Sequence, residues 1–258
     1  MEDARRPIGV FDSGVGGISV LRALVQLMPN ENYIFFGDSL RAPYGSKSLQ
    51  EVRELTEMNV THLLDEGAKA IVVACNTATS ADISILRERY PHIPMIGIEP
   101  ALKPAVLFMD HPNVLVLGTP LTIHQEKFQK LLQEYINDAD VDTLPCPGLV
   151  EYVERGETSG KELEAFLTEL FLPYKDKKID SVVLGCTHYP FVSDAIRNVL
   201  GPQVMVFEGG PGTARETKRR LKQKQLLNPS EEEGIVRFEN SENTPEKMKL
   251  CQRLLNAR

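Results

Sequence analysis

The amino-acid sequence predicts an α/β protein made of two pseudo-symmetric parallel-sheet units that face each other across an active-site cleft. Three observations carry this expectation. Short apolar runs rich in Val and Ile alternate with longer segments of helical periodicity, the rhythm of parallel strands covered by helices. The stretch around Cys75 is echoed around Cys186. Pro and Gly cluster near Glu99-Pro100 and at Glu208-Gly-Gly-Pro-Gly212, where a chain passes between units.

Taken in chain order, the first strand is expected at Ile8–Phe11, then a helix over Gly17–Leu27 and a second strand at Tyr33–Phe36. A helix over Leu49–Glu66 precedes the apolar run Ala70–Ala74, and a helix over Ser80–Tyr90 precedes Met95–Ile98. The rhythm resumes with Val114–Leu117, a helix over Thr122–Tyr135 and another over Glu162–Tyr174. It continues with Ser181–Leu184, a helix over Val192–Leu200 and a strand at Val204–Phe207. Each strand run ends at Gly, Ser, Asp, Cys or Pro. Two last helices, Ala214–Lys224 and Pro245–Asn256, are rich in Lys and Glu and read as solvated faces, with a loop at Asn228–Gly234 before the second.

The echo is specific. Ile71-Val-Val-Ala-Cys75-Asn-Thr is followed by a helix and by Ile93-Pro-Met-Ile-Gly-Ile-Glu99; Val182-Val-Leu-Gly-Cys186-Thr-His is followed by a helix and by Gln203-Val-Met-Val-Phe-Glu208. Upstream, Ile8-Gly-Val-Phe-Asp-Ser13 is matched by Val114-Leu-Val-Leu-Gly-Thr119, so each half carries a hydroxyl and then a cysteine at strand C-terminal ends. Ligands of open parallel sheets bind at those ends. The expected units are residues 1–98 plus 209–258, on the Cys75 side, and residues 99–208, on the Cys186 side.

Bulk properties narrow the function. The 258 residues are 42% hydrophobic and 25% charged, enough for a real core, and the net charge of −7 offers no positive field to attract nucleic acid or anionic membrane. No apolar run approaches the roughly 18 residues of a membrane span and the first residues lack a signal peptide, so a cytoplasmic protein with a small-molecule partner is expected. The four cysteines are widely spaced, as reduced thiols would be. No C-x-x-C or H-x-x-x-H spacing occurs, so neither metal nor cofactor is implied.

Cys75 and Cys186 follow buried-strand patterns and open helical segments, where unpaired N–H groups are expected to lower a thiol's pKa toward neutrality. Cys146 and Cys251 lack that context and read as small buried hydrophobes. His188 is placed to tune or relay a proton at Cys186, or simply to satisfy a local hydrogen bond. Asp12-Ser-Gly-Val-Gly-Gly17 is a strand-to-helix turn able to bind an anion through its N–H groups, or a tight turn with Ser13 as cap. Asn76, Thr77, Thr119, Thr122 and Thr187 are either donors for a substrate with two carboxylates and an ammonium, or helix caps. Arg41-Ala-Pro-Tyr44-Gly45 is a plain turn or a loop that brings Tyr44 to the site.

Taken together, Asp12-Ser-Gly-Val-Gly-Gly17, Pro43-Tyr-Gly45, Ala74-Cys-Asn-Thr77 and Gly185-Cys-Thr-His-Tyr-Pro190 resemble the glutamate branch of the aspartate/glutamate racemase superfamily, in order and spacing, over nearly the whole chain. The resemblance implies Cys75 and Cys186 as two acid/bases, with Asp12 near the first and His188 near the second. It adds Glu154, with Glu151 one register error away, as a further catalytic carboxylate. Ser13, Pro43, Tyr44, Gly45, Asn76, Thr77, Thr119, Thr122, Thr187 and His188 are implied as the substrate shell. The implied reaction is cofactor-independent exchange of L- and D-glutamate for peptidoglycan synthesis, in a chain that could form a homodimer. One departure is Glu208-Gly209, where an Asp-Ser pair is expected. An aspartate racemase, a flavodoxin-like regulatory module and a cysteine hydrolase using Cys186 and His188 are the alternatives.

Overall fold

The computed structural model describes residues 2–135 and 137–257. Along the chain, α1 (Glu2–Arg5) leads into β1 (Ile8–Asp12), α2 (Ile18–Leu27), β2 (Tyr33–Gly37), α3 (Leu49–Asp65), β3 (Ala70–Val73), α4 (Asn76–Arg89), β4 (Met95–Gly97) and α5 (Leu102–Leu107). There follow β5 (Asn113–Gly118), α6 (Pro120–His124), α7 (Glu126–Gln133), β6 (Asp140–Pro145), α8 (Leu149–Glu154), α9 (Lys161–Leu170), β7 (Ser181–Leu184), α10 (Ser193–Leu200) and β8 (Met205–Glu208). The chain closes with α11 (Gly210–Gln223), β9 (Val236–Asn240) and α12 (Pro245–Asn256).

The strands form two sheets, ordered β4-β3-β1-β2-β9 and β6-β5-β7-β8, and every neighbouring pair is parallel. Reversing the second order aligns β8-β7-β5-β6 with β4-β3-β1-β2, so the echo in the sequence is an echo of topology. The strand after each hydroxyl-cysteine pair has its counterpart in the other sheet. Among the described residues only β9 has none, and it extends the first sheet by pairing with β2.

Central strands are apolar except at their ends, where Asp12, Asn113 and Ser181 lie, because both faces are covered. Successive side chains alternate between those faces. Val10, Val72, Leu115, Leu117, Val182 and Leu184 point into one cluster shared by the two sheets. Phe11, Ile71 and Val73 point the other way, onto the side covered by α3 and α4, while Val114, Val116 and Val183 face a separate cluster with α5. One continuous core therefore holds the sheets together, flanked by a satellite core on each outer side. The crossovers also touch, since Gly209 lies directly against the backbone carbonyl of Glu99.

Several boundaries differ from the sequence expectation for identifiable reasons. The segment expected as one helix over 122–135 is two, because Gln125 is extended (φ −71°, ψ 140°) and ends α6 before α7 begins. Helix α4 starts at Asn76, directly after Cys75 as the helical segment expected there requires and four residues ahead of the periodic run that begins at Ser80. Helix α9 stops at Leu170, because Pro173 has no N–H to bond the carbonyl four residues back and its ring crowds that carbonyl, and the chain tightens into a short 3₁₀ turn, Leu172–Tyr174. Strands β6 and β9 were not anticipated. Among the described residues no helix is long and apolar enough to cross a membrane.

A buried ion pair ties down the edge away from the cleft. Lys69, ahead of β3, donates to Glu31 Oε2 at 2.5 Å, and Glu31 Oε1 accepts from the backbone N–H of Asn228 at 2.8 Å. Both side chains are almost fully buried. Removing one partner strands the other without solvent, so Lys69→Met is expected to destabilise the fold by about 3–5 kcal/mol in urea unfolding. A loss below about 1 kcal/mol would show that the pair is solvated in solution.

Candidate active site

In parallel sheets all strand C-termini share an edge, and the two edges here confront each other. Asp12 ends β1, with Ser13 just beyond, and Cys75 stands two residues after β3. On the opposite side Thr119 follows β5 and Cys186 lies two residues after β7. All five side chains are buried.

Cys75 is the N-cap of α4, its Sγ accepting from the backbone N–H of Ala78 and donating to Ser13 Oγ, both at 3.4 Å. Position alone does not lower its pKa as the sequence suggested. Burial pushes the thiol up to about 12, with the nearby Asp12 carboxyl and Cys186 adding to the rise and the Ser13 and Ala78 contacts opposing it. Loss of solvation outweighs the partial charge of the helix terminus.

Cys186 is held differently. The expected helix does not begin beside it; a turn carries the chain to a 3₁₀ segment, Tyr189–Val192, and α10 starts only at Ser193. Its partner is His188, whose Nδ1 lies 3.7 Å from Sγ while Nε2 donates to Glu154 Oε1 at 2.7 Å. Burial by itself would favour neutral imidazole, yet the hydrogen bonds to Cys186 and Glu154 hold the His188 pKa well above 6.5. Burial likewise opposes ionisation of Glu154, but the bond and charge of His188, the Val15 N–H and Lys247 bring it down to about 2. The two form an ion pair inside the protein.

Four groups donate to Glu154: Val15 N–H and His188 Nε2 to Oε1, both at 2.7 Å, and Ser39 Oγ (2.9 Å) and Lys247 Nζ (3.1 Å) to Oε2. Glu154 is thus the carboxylate that reaches His188, whereas Glu151 lines a cavity of about 790 Å³ on the outer side of Glu154, together with Pro43 and Lys247. Sequence reasoning missed Ser39, which has no motif context. It also read the Lys- and Glu-rich α12 as a solvated face, whereas Lys247 is buried.

The glycine-rich turn is filled by the protein itself. Gly14 N–H donates to Asp12 Oδ2 at 2.9 Å, and the Val15 N–H takes the Glu154 carboxylate, in the place that the anion-binding reading of the turn gave to an external ligand. A Cβ on Gly14 would collide with Glu154 and one on Gly16 with the His188 ring, so glycine is required by close approach. Asp12 spans the halves by accepting from Thr187 Oγ1 at 2.8 Å, and burial raises its pKa against the lowering effects of His188, Thr187 and Gly14. Ser19 Oγ reinforces the junction by donating to the Thr187 carbonyl at 2.9 Å.

Thr77, Thr119 and Thr122 form a closed triangle of hydroxyls, 2.9 to 3.1 Å apart, joining α4 to α6 across the cleft. Thr119 is also the cap of α6. Gly45 packs against Thr119. Tyr44 is buried against Phe11, its hydroxyl donating to Asp38 at 2.7 Å and accepting from Asn59 at 3.0 Å, so it braces the site with its oxygen already committed. Asn76 is the opposite case: both polar atoms of its amide are buried with no partner. An amide left so costs about 1–3 kcal/mol, which a ligand would recover. Among the described residues no group of three or more His, Cys, Asp or Glu side chains is arranged to hold a metal ion.

Comparison with known proteins bears on this arrangement. The model of the Asp/Glu/hydantoin racemase family matches residues 8–217. The chain is 48% identical to a glutamate racemase of Clostridium botulinum over the full length of both. It is 49% identical to one of Clostridium perfringens over 96% of each. Its fold is similar to the crystal structure of a Francisella tularensis glutamate racemase in complex with D-glutamate, with a TM-score of 0.84 and 30% identity over 99% of this chain and 95% of that one.

The ion pair makes a pH prediction. Because Glu154 is depressed to about 2, its contribution to stability is complete above its ordinary 4.5 and is lost as pH falls through about 2. Because His188 is raised, its contribution is complete below 6.5 and is lost as pH climbs through its higher folded value. Glu154→Gln should therefore cost most stability between about pH 4.5 and 6.5, and should shift the NMR titration of the His188 ring to lower pH. An unmoved titration would mean that Glu154 does not hold the imidazolium.

Proposed function

We propose that this chain, which belongs to the Asp/Glu/hydantoin racemase family, interconverts L-glutamate and D-glutamate by moving the α-proton between two thiols, without a cofactor. The observation that carries the reading is the pair of buried cysteines at equivalent strand ends of two facing sheets, whose flanking residues meet where Thr187, beside Cys186, donates to Asp12 of the other half at 2.8 Å. A stereocentre held between them has one acid/base on each face.

In this reading one thiolate removes the α-proton and the opposite thiol returns a proton to the other face. The α-proton of an amino acid is far less acidic than a thiol, so the developing negative charge must be met by fixed donors in a dry space. The unpartnered Asn76 amide is the best-placed donor, because it has no internal bond to break. Ser13, Thr77, Thr119, Thr122 and Thr187 supply hydroxyls around it, and Pro43, Tyr44 and Gly45 form the supporting wall. With burial pushing its pKa up to about 12, Cys75 rests as a neutral thiol, and a substrate ammonium entering the same space favours release of its proton. Asp12 assists on that side while orienting Thr187, and His188, held by Glu154, assists at Cys186.

The same reading takes residues 1–98 with 209–258, and residues 99–208, as the two units that close on substrate. Glutamate is the small-molecule partner, nucleic acid and membrane have no part, and D-glutamate made in the cytoplasm feeds peptidoglycan synthesis. A homodimer is the assembly that sedimentation should be set to test.

Cys75→Ser and Cys186→Ser are each expected to lower kcat by at least ~10²–10⁴-fold in a circular-dichroism assay of either enantiomer, since general acid/base transfer is worth that much. In D₂O the wild-type chain should wash deuterium into the α-position as it racemises. Persistence of both racemisation and exchange after loss of either thiol would sink the two-base scheme. Asn76→Ala should weaken kcat/KM by roughly 10-fold or more, the equivalent of one buried hydrogen bond to a charged group. Glutamate should turn over well ahead of aspartate.

A further inference from the structure

Lys247 lies in α12, beyond the residues matched by the family model, and has the geometry of a dedicated clamp. An ammonium group has three protons, and those of Lys247 meet three acceptors: the backbone carbonyl of Glu154 (3.0 Å), Glu154 Oε2 (3.1 Å) and Glu242 Oε2 (3.0 Å). Two of the three belong to the last residue of α8, so one side chain fixes both the backbone and the carboxylate of Glu154. The lysine is itself fixed, because Thr244 caps α12 by accepting from the Lys247 backbone N–H at 3.2 Å. With Oε2 anchored, Oε1 faces His188 Nε2, and His188 Nδ1 faces Cys186.

We infer that Lys247 is a positioning residue for the Cys186 half of the site, acting through Glu154 and His188 from an element outside both strand-helix repeats. The inference rests on the two-thiol reading for what the relay serves, but the relay itself is a matter of geometry. Facing Glu154 are His188 from the turn after β7, Ser39 from the loop after β2, and Lys247 from α12. Glu242 and the Cys251 thiol flank Lys247, and Asp12 and Cys186 are the other titratable groups facing His188.

The test is Lys247→Met, which keeps most of the aliphatic stem and removes the donors, with Lys247→Arg as the conservative variant. Lys249→Met is the control, since it removes the same charge from an exposed position with no bond to Glu154. Expected for Lys247→Met are a fall in kcat of roughly 10–100-fold with KM little changed, the scale of a misplaced catalytic group. NMR titration of His188 should move to lower pH as Glu154 swings away, and Lys247→Arg should restore both. An unchanged kcat and His188 titration would overturn the inference. So would a rise in the His188 titration, the signature of a lysine that merely competes with His188 for the carboxylate's charge. Should the wild-type chain fail to racemise glutamate, the functional reading falls, while the His188 titration in the two variants still decides the clamp.

Discussion

The carboxylate of Glu154 is largely withdrawn from water, its side chain 13% exposed, and it is ionised and surrounded by donors that reach it from four separate parts of the chain. A charge in such a place is tolerated only when every lone pair facing the protein is met. That requirement brings the turn after β1, the loop after β2, the segment after β7 and the start of α12 to one point. It also fixes the state of His188, which would be neutral in so dry a setting without an anion beside it. The chemistry assigned to Cys186 therefore depends on packing across the whole molecule, and on an ion pair whose two members stabilise each other's charge.

The two halves share a backbone plan but not a microenvironment. Cys75 is served by a helix N-terminus and a serine; Cys186 is served by an imidazole, because Pro190 and the 3₁₀ segment displace its helix by several residues. A two-base reaction needs symmetry only in where the bases stand relative to the substrate carbon. How each sulfur is poised can differ, and the burial that raises Cys75 acts on a thiol with no charged partner in its hydrogen-bond shell.

Much of this was legible in the sequence because central parallel strands must be apolar on both faces, and the four strands that carry Asp12, Cys75, Thr119 and Cys186 are of that kind. Edge strands obey no such rule. Strand β6, Asp-Val-Asp-Thr-Leu-Pro, and β9, Val-Arg-Phe-Glu-Asn, are half-exposed and interleave charge with apolar residues, so neither stands out as a run. Periodicity alone picks up α4 only from Ser80, because its first turn, Asn-Thr-Ala-Thr, is mostly polar yet faces the cleft and is buried; it is the expectation of a helical segment opening after Cys75 that marks the true start. Motif residues were recoverable because two copies point to the same edge. Ser39 and Lys247 were not, since a lone serine and a lysine in a charged helix carry no mark of the distant carboxylate they meet.

Gly14 and Gly16 are small because side chains from elsewhere occupy the volume their own would need. The turn is in effect a mould, with Glu154 and His188 as the casting. Neither piece can be exchanged alone: a bulkier turn would expel the imidazole, and a chain without that imidazole would leave a hollow under the turn. The glycines and the His-Glu pair therefore form a single heritable unit split between distant stretches of sequence, and a graft of either half onto another scaffold would have to carry both.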